Sequence, residues 1–143
     1  MRPILILIFL IFFVFVAITD GRGDRQLSIT SLSIKFDKAD ATFIIDYQFD
    51  KLTNLYFFMF GTQNIVPKIE DLFFDFDYKI VKVDNKEAIL MVKNISRLNN
   101  GYYLHDSRKL GDTIDTVYIS DSSSTEIKEY HDINATPYHF YKS

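Results

Sequence analysis

Apolar residues alternate with polar ones along two parts of the chain, which is the pattern of half-buried β-strands. The alternation runs over Leu27–Phe36 and Thr42–Phe49, and its phase slips near Thr30-Ser31. A β-bulge accounts for the slip, and the polar turn Asp37–Asp40 joins the two segments into a hairpin. The pattern also predicts a second hairpin and two later strands, at Tyr78–Val83, Glu87–Val92, Tyr102–Leu104 and Thr113–Ile119.

Between the two hairpins the apolar spacing becomes that of a helix face. Leu52–Phe60 and Val66–Phe76 each carry apolar residues at i, i+3, i+4 and i+7, and Pro67 suits the first turn of the second helix. The first set is Leu52, Leu55, Tyr56 and Met59, and the second is Ile69, Leu72, Phe73 and Phe76. Core burial is favoured over insertion of Leu55–Phe60 into a membrane surface, because that segment lacks a Lys/Arg-rich polar face.

The order of elements predicts an α+β domain. Its antiparallel sheet would have about five or six strands, with two short helices packed on one face, and an N-terminal hydrophobic helix would precede it. From Glu126 onward the chain is polar and tyrosine-rich with little periodicity, so we expect a polar C-terminal tail.

The amino terminus predicts export from the cytoplasm. Arg2 precedes fifteen uninterrupted apolar residues, Ile4 to Ile18, which as a helix span roughly 22 Å and fall short of a ~30 Å hydrocarbon core. We therefore expect residues 1–19 to be a signal peptide or membrane anchor, 20–26 a linker and 27–143 a single domain. Cleavage after Thr19 and retention as an anchor both stay open. The body is expected outside the cytoplasm, secreted or anchored by this one helix.

Composition excludes several function classes. The formal net charge of −3 argues against nucleic-acid binding, which needs a basic face. The chain contains no cysteine, so disulfides, thiol catalysis and cysteine-ligated zinc are excluded. Stability then depends on the packed core.

The histidines predict no catalytic or metal site. His105-Asp106-Ser107 contains the residue types of a catalytic triad, but neighbours on an extended segment point to opposite faces. His105, His131 and Asp106 would be the residues of a metal-dependent hydrolase, yet the spacings typical of zinc sites are missing. We therefore predict a non-enzymatic protein without metal or cofactor.

The leading hypothesis is a cell-envelope domain that binds a protein partner, with contact residues Tyr102, Tyr103, Arg108 and Tyr138. Tyrosine and arginine are the residue types that anchor protein interfaces. The alternative is a small-ligand carrier with an apolar pocket between helices and sheet, lined by Phe57, Phe58 and Phe73.

Two N-x-S/T sequons predict glycosylation if the producing cell glycosylates its exported proteins. They are Asn94-Ile95-Ser96 and Asn134-Ala135-Thr136, and each is expected in a loop or at a strand end.

Two further runs carry a resemblance to known proteins. Val66–Phe73 (VPKIEDLF) and Asn100–Arg108 (NGYYLHDSR) make the chain from about Leu27 onward similar to small exported archaeal proteins with no assigned activity. The resemblance implies an archaeal envelope setting and assigns a role to no residue.

Overall fold

The structure is a computed structural model that describes residues 27–51, 55, 61 and 65–142. One helix and nine strands lie wholly within these residues. The helix is α1 (Val66–Leu72), and the strands are β1 (Ser28–Asp37), β2 (Asp40–Gln48), β3 (Tyr78–Val83), β4 (Glu87–Val92), β5 (Arg97–Asn99), β6 (Tyr102–His105), β7 (Lys109–Asp121), β8 (Lys128–Ala135) and β9 (His139–Lys142).

Six strands form the main sheet, in the order β3-β4-β2-β1-β7-β8. All neighbours are antiparallel except β1 and β7, which run parallel. Both predicted hairpins are confirmed, and the register of the first shifts between Ile29 and Ser31, where the bulge was expected. The edge strands β3 and β8 carry charged side chains such as Lys79 and Lys128, which discourage pairing with another chain.

One face of the main sheet builds the hydrophobic core. Alternate residues of the central strands, such as Ile34 on β1 and Phe43 on β2, lie opposite each other and are buried. Helix α1 adds Ile69 and Leu72 to this core. The ring of Phe73 meets Phe43 edge-on, with 5.4 Å between centroids, a favoured geometry for aromatic pairs.

The remaining three strands form a separate small sheet in the order β5-β6-β9, antiparallel throughout. Its inner face presents Tyr103, His105, His139 and Tyr141. His105, His139 and Tyr141 meet the aromatic ring of Phe36 on β1. The small sheet therefore meets the core through these polar and aromatic side chains.

The predicted α+β class is wrong. The described part of the chain is mostly β, with 60% of its residues in strands and 10% in helices, in a mixed six-stranded sheet and a second three-stranded sheet. The expected polar tail forms β8 and β9. Its strands escaped detection because β8 lies at an edge with exposed charged residues and the inner face of β9 consists of His139 and Tyr141.

The helical region also differs from its prediction. The second helix ends at Leu72, although the apolar positions continue to Phe76, which is buried but lies beyond the helix. Most of the first predicted helix, Leu52–Phe60, lies outside the described residues, as do the leader and linker. Leu55 was expected on a buried helix face and is 60% exposed. Among the described residues no helix has the length and apolar character needed to cross a bilayer.

Candidate functional site

The ring of Phe36 is the centre of the contact between the two sheets. The centroid of this buried ring lies 5.0 Å from that of His105, 5.2 Å from His139 and 5.3 Å from Tyr141. We call the set His105, Thr136, His139, Asp121, Tyr141 and Ser96, grouped around Phe36, the polar seam.

His105 is held by a chain of hydrogen bonds that defines its tautomer. Its Nδ1 lies 3.1 Å from the Ile95 carbonyl, which can only accept, so Nδ1 carries the proton. Its Nε2 then accepts from the Thr136 hydroxyl at 2.8 Å. The oxygen of that hydroxyl accepts from the Arg108 backbone N–H at 2.9 Å. Every polar atom in this chain has a partner when His105 is neutral.

His139 connects β9 to the end of β7. Its Nε2 lies 2.8 Å from Oδ2 of Asp121, and both side chains are almost fully buried. The other carboxylate oxygen accepts from the backbone N–H and the hydroxyl of Ser123. Asp121 therefore links the small sheet to the β7–β8 turn.

Tyr141 anchors β9 to the first hairpin. Its hydroxyl lies within hydrogen-bonding distance of the Lys38 carbonyl and, at 2.9 Å, of the Ser96 hydroxyl. A tyrosine has one hydroxyl proton, so it donates to the carbonyl and accepts from Ser96. Burial raises the pKa of Tyr141 to about 12, so this group stays neutral.

Burial and hydrogen bonding also shift the other ionisable groups of the seam. Burial lowers the pKa of His105, and the bond to the Ile95 carbonyl only partly opposes this shift. Burial alone would raise the pKa of Asp121, but hydrogen bonds from Ser123 and His139 outweigh it and lower that pKa below its usual range. A neutral His105 and an ionised Asp121 follow at neutral pH.

The geometry of the seam is unsuited to catalysis in this state. The Thr136 hydroxyl and His105 form a hydroxyl–imidazole pair, but Thr136 is 0% exposed and His105 1%, so substrate has no access. The prediction that neighbours in His105-Asp106-Ser107 point to opposite faces is confirmed for His105 and Asp106. His105 points inward, and Asp106 is exposed and forms an ion pair with Arg97 at 3.3 Å.

The opposite face of the small sheet presents aromatic side chains to solvent. Residues directly opposite across a ladder share a face, so Leu104 and Phe140 lie together, and Tyr102 lies beside Lys142. Tyr138 precedes β9 in phase with Phe140 and is 75% exposed, and Phe140 is 69% exposed. We call the set Arg97, Asn99, Tyr102, Leu104, Tyr138, Phe140 and Lys142 the outer face.

The structure divides the four predicted contact residues into two groups. Tyr102 and Tyr138 belong to the outer face and are exposed. Tyr103 points inward and stacks on Tyr141, with 5.7 Å between ring centroids. The guanidinium of Arg108 lies 5.8 Å from the centroid of Phe76 and donates to the Asp75 carbonyl.

Sequence reasoning missed Phe140, which the outer face exposes. The alternation in Tyr138-His139-Phe140-Tyr141-Lys142 was the available signal, since it places residues 138, 140 and 142 on one face. The signal was hidden because both faces of this strand carry aromatic rings.

The two sequons share an arrangement that the sequence did not reveal. Asn94 lies in the β4–β5 loop and Asn134 lies near the end of β8, and both are exposed. Their hydroxyl residues, Ser96 and Thr136, are buried in the polar seam. Both hydroxyls therefore have a structural role that is independent of glycosylation.

The residues of the hydrolase alternative do not converge. His105 lies in the small sheet with both ring nitrogens engaged, and His131 lies on β8 with its Nε2 3.1 Å from Glu129. Within the described ranges no three His, Cys, Asp or Glu residues are placed to hold a metal ion.

The pocket of the carrier alternative is described only in part, because Phe57 and Phe58 lie outside the described residues. Phe73 is fully buried against Phe43 and Phe76. An open cleft of about 580 Å³ lies between α1 and β7, and its lining includes Lys68, Asp71, Asp112 and Asp115. Apolar ligands need a mainly apolar lining, so this cleft does not suit them.

Comparison with protein-family models, with curated proteins and with solved structures gives no match. The similarity to exported archaeal proteins stays a prediction.

Proposed function

We propose that this chain is an extracytoplasmic, non-enzymatic domain that binds a protein of the cell envelope through its outer face. The observation that carries the proposal is the exposure of Phe140 and Tyr138, with Tyr102, on one side of a small sheet. Exposed aromatic clusters mark interaction sites, and tyrosine is enriched at the centres of interfaces.

The polar seam supports this proposal because it holds the outer face in a fixed arrangement. Three side chains of the inner face contact Phe36, and two of them also bond to Asp121 and to the Lys38 carbonyl. A rigid surface loses less conformational entropy on binding than a mobile one. The buried network therefore favours tight binding on the opposite side of the same strands.

The charges of the outer face define the chemistry of the partner. Arg97 is paired with Asp106, whereas Lys142 forms no ion pair within the described part of the chain. Lys142 lies directly opposite Tyr102 in the β6–β9 register. We infer a partner surface that offers apolar side chains to Phe140 and a carboxylate to Lys142.

The test is cross-linking in the producing cells, with the full chain carrying an affinity tag and the variants Phe140→Ala and Lys142→Glu. Loss of an aromatic anchor typically costs about 2 kcal/mol or more, so we expect recovery of the partner to fall by roughly 30-fold with Phe140→Ala. Lys142→Glu should weaken recovery and reduce its dependence on salt.

Ile127→Ala is the matched control, because Ile127 is 65% exposed and belongs to the β7–β8 connection and not to the outer face. The proposal requires a partner that is lost with Phe140→Ala and kept with Ile127→Ala. Equal recovery with both variants would contradict it.

A further inference from the structure

We propose that the polar seam is an acid-sensitive latch: protonation of His105 loosens the small sheet and releases the envelope protein bound at the outer face. The release depends on the proposed partner binding, whereas the loosening of the sheet does not. His105 lies on the inner side of β6, the strand whose outer side carries Tyr102 and Leu104.

The hydrogen-bond pattern around His105 suits the neutral ring better than the protonated one. Protonation places a second proton on Nε2, where the Thr136 hydroxyl now donates. Because Nε2 would then donate, the Thr136 oxygen would accept from it as well as from the Arg108 N–H, and the hydroxyl proton would have to turn towards the Arg108 carbonyl, 3.4 Å away. The His105–Thr136 bond would reverse its direction, and the Thr136 hydroxyl, which donates across 2.8 Å to the neutral ring, would have its next acceptor only at 3.4 Å. This change lies where the β8–β9 connection meets the small sheet.

The surroundings offer the protonated ring little compensation. The charged and titratable groups around it are Asp106 and Arg108 on the following segment, His139 and Tyr141 on β9, and Asp121 on β7, which acts through His139. Arg108 and His139 oppose a positive charge on the ring. Asp106 favours one, but it is exposed and already paired with Arg97. Phe36 fills the inner side and provides no polar atom.

The direction of the pH effect follows from linkage. The pKa of His105 is lowered in the folded protein, so the opened form binds a proton first as pH falls below the ordinary histidine value of about 6.5. Opening then becomes easier with falling pH, by at most about tenfold per pH unit for one such group, until the folded pKa is reached. Asp121 has a lowered pKa and adds to stability above about pH 4, so its contribution is lost only in stronger acid.

Hydrogen exchange in the absence of any partner tests the latch. We compare exchange at pH 7 and pH 5, after correction for its intrinsic pH dependence. The opening constants of the amides of β6 and β9 should rise as pH falls, by at most about tenfold per pH unit. His105→Gln removes the titrating ring and keeps a donor and an acceptor, so its slope should be flat. His131→Gln is the control, because His131 is exposed on β8, and it should keep the slope of the natural protein.

Equal slopes in the natural protein and in His105→Gln would overturn the latch. If His105→Gln does not fold, the ring signals of His105 in the natural protein decide by nuclear magnetic resonance. A midpoint well below 6.5 supports the latch, and a midpoint at or above 6.5 overturns it.

The second arm separates the latch from the proposed function. Envelope proteins are bound to the immobilised chain at pH 7.5 and then washed at pH 5. If the natural chain releases them and His105→Gln does not, His105 controls partner binding. Retention at pH 5, despite faster exchange in β6, would overturn that control. If nothing specific is retained at pH 7.5 while exchange responds as expected, the proposed function fails and the loosening of the sheet stands.

Discussion

At the scale of single residues, the polar side chains of the seam link the small sheet to the main sheet. Thr136 shows this best, because its hydroxyl donates to His105 and accepts from the Arg108 backbone. Buried polar groups contribute little net stability when paired, but they are costly to leave unpaired. Substitution of one member of this chain of hydrogen bonds should therefore destabilise the whole polar seam.

Thr136→Val is predicted to destabilise the protein by about 1–3 kcal/mol, because it keeps the shape of the side chain and leaves His105 Nε2 and the Arg108 N–H without their partner. The midpoint and slope of urea unfolding measure the change. Thr113→Val, at an exposed position on β7, is the control. Similar midpoints for the two variants would show that the Thr136 hydroxyl bears no structural role.

At the scale of elements, the short helix α1 can approach β7 closely because Gly111 has no side chain. A Cβ built on Gly111 would lie 2.8 Å from the carbonyl carbon of Asp71 and 3.1 Å from Cα of Leu72, and closer still to the Asp71 carbonyl oxygen. Real Cβ atoms do not approach backbone so closely, so glycine is required at this crossing.

Gly111→Ala is predicted to cost about 1–3 kcal/mol or more, because the backbone of α1 must move away from β7 to make room. Thermal unfolding measures the loss. Gly101→Ala isolates the other cause of glycine preference, since a Cβ there meets open space and only the positive φ of 81° opposes it. If Gly111→Ala leaves the amides of α1 and β7 as protected as in the natural protein, the steric explanation is wrong.

At the scale of the whole molecule, the location of the protein and its modification remain predictions. The leader lies outside the described residues, and the acceptor residues Asn94 and Asn134 are exposed. Intact-mass spectrometry of the protein from its natural source reports both properties in one measurement. A retained leader and a removed leader give different masses, and glycans add mass at mapped asparagines.

If the producing cell glycosylates its exported proteins, we expect modification at Asn94 and Asn134, with Asn94→Gln and Asn134→Gln each removing one glycan. Ser96→Ala separates the two roles of that sequon, because it abolishes the acceptor motif and also the bond to Tyr141. It should therefore lower stability more than Asn94→Gln does. Recovery of the full-length, unmodified chain from the cytoplasm would contradict export and glycosylation together.

Local patterns in the sequence determined the two hairpins, the bulge near Ser31 and the first turn of α1, because alternation, turn residues and proline act through neighbouring residues. Tyr102 and Tyr138 could be chosen by residue type, but the same reasoning selected the half-buried Tyr103 and Arg108. Residue type does not reveal which side of a strand faces water.

Only the tertiary structure decided the fold class and the seam. The parallel pairing of β1 with β7 joins residues more than eighty positions apart. Strand β9 pairs with β6, and its side chains form hydrogen bonds to β7 and to the turn of the first hairpin. His105, Thr136 and Tyr141 come together through these long-range pairings. Since their contacts depend on strand order and not on spacing along the chain, no local pattern predicts them.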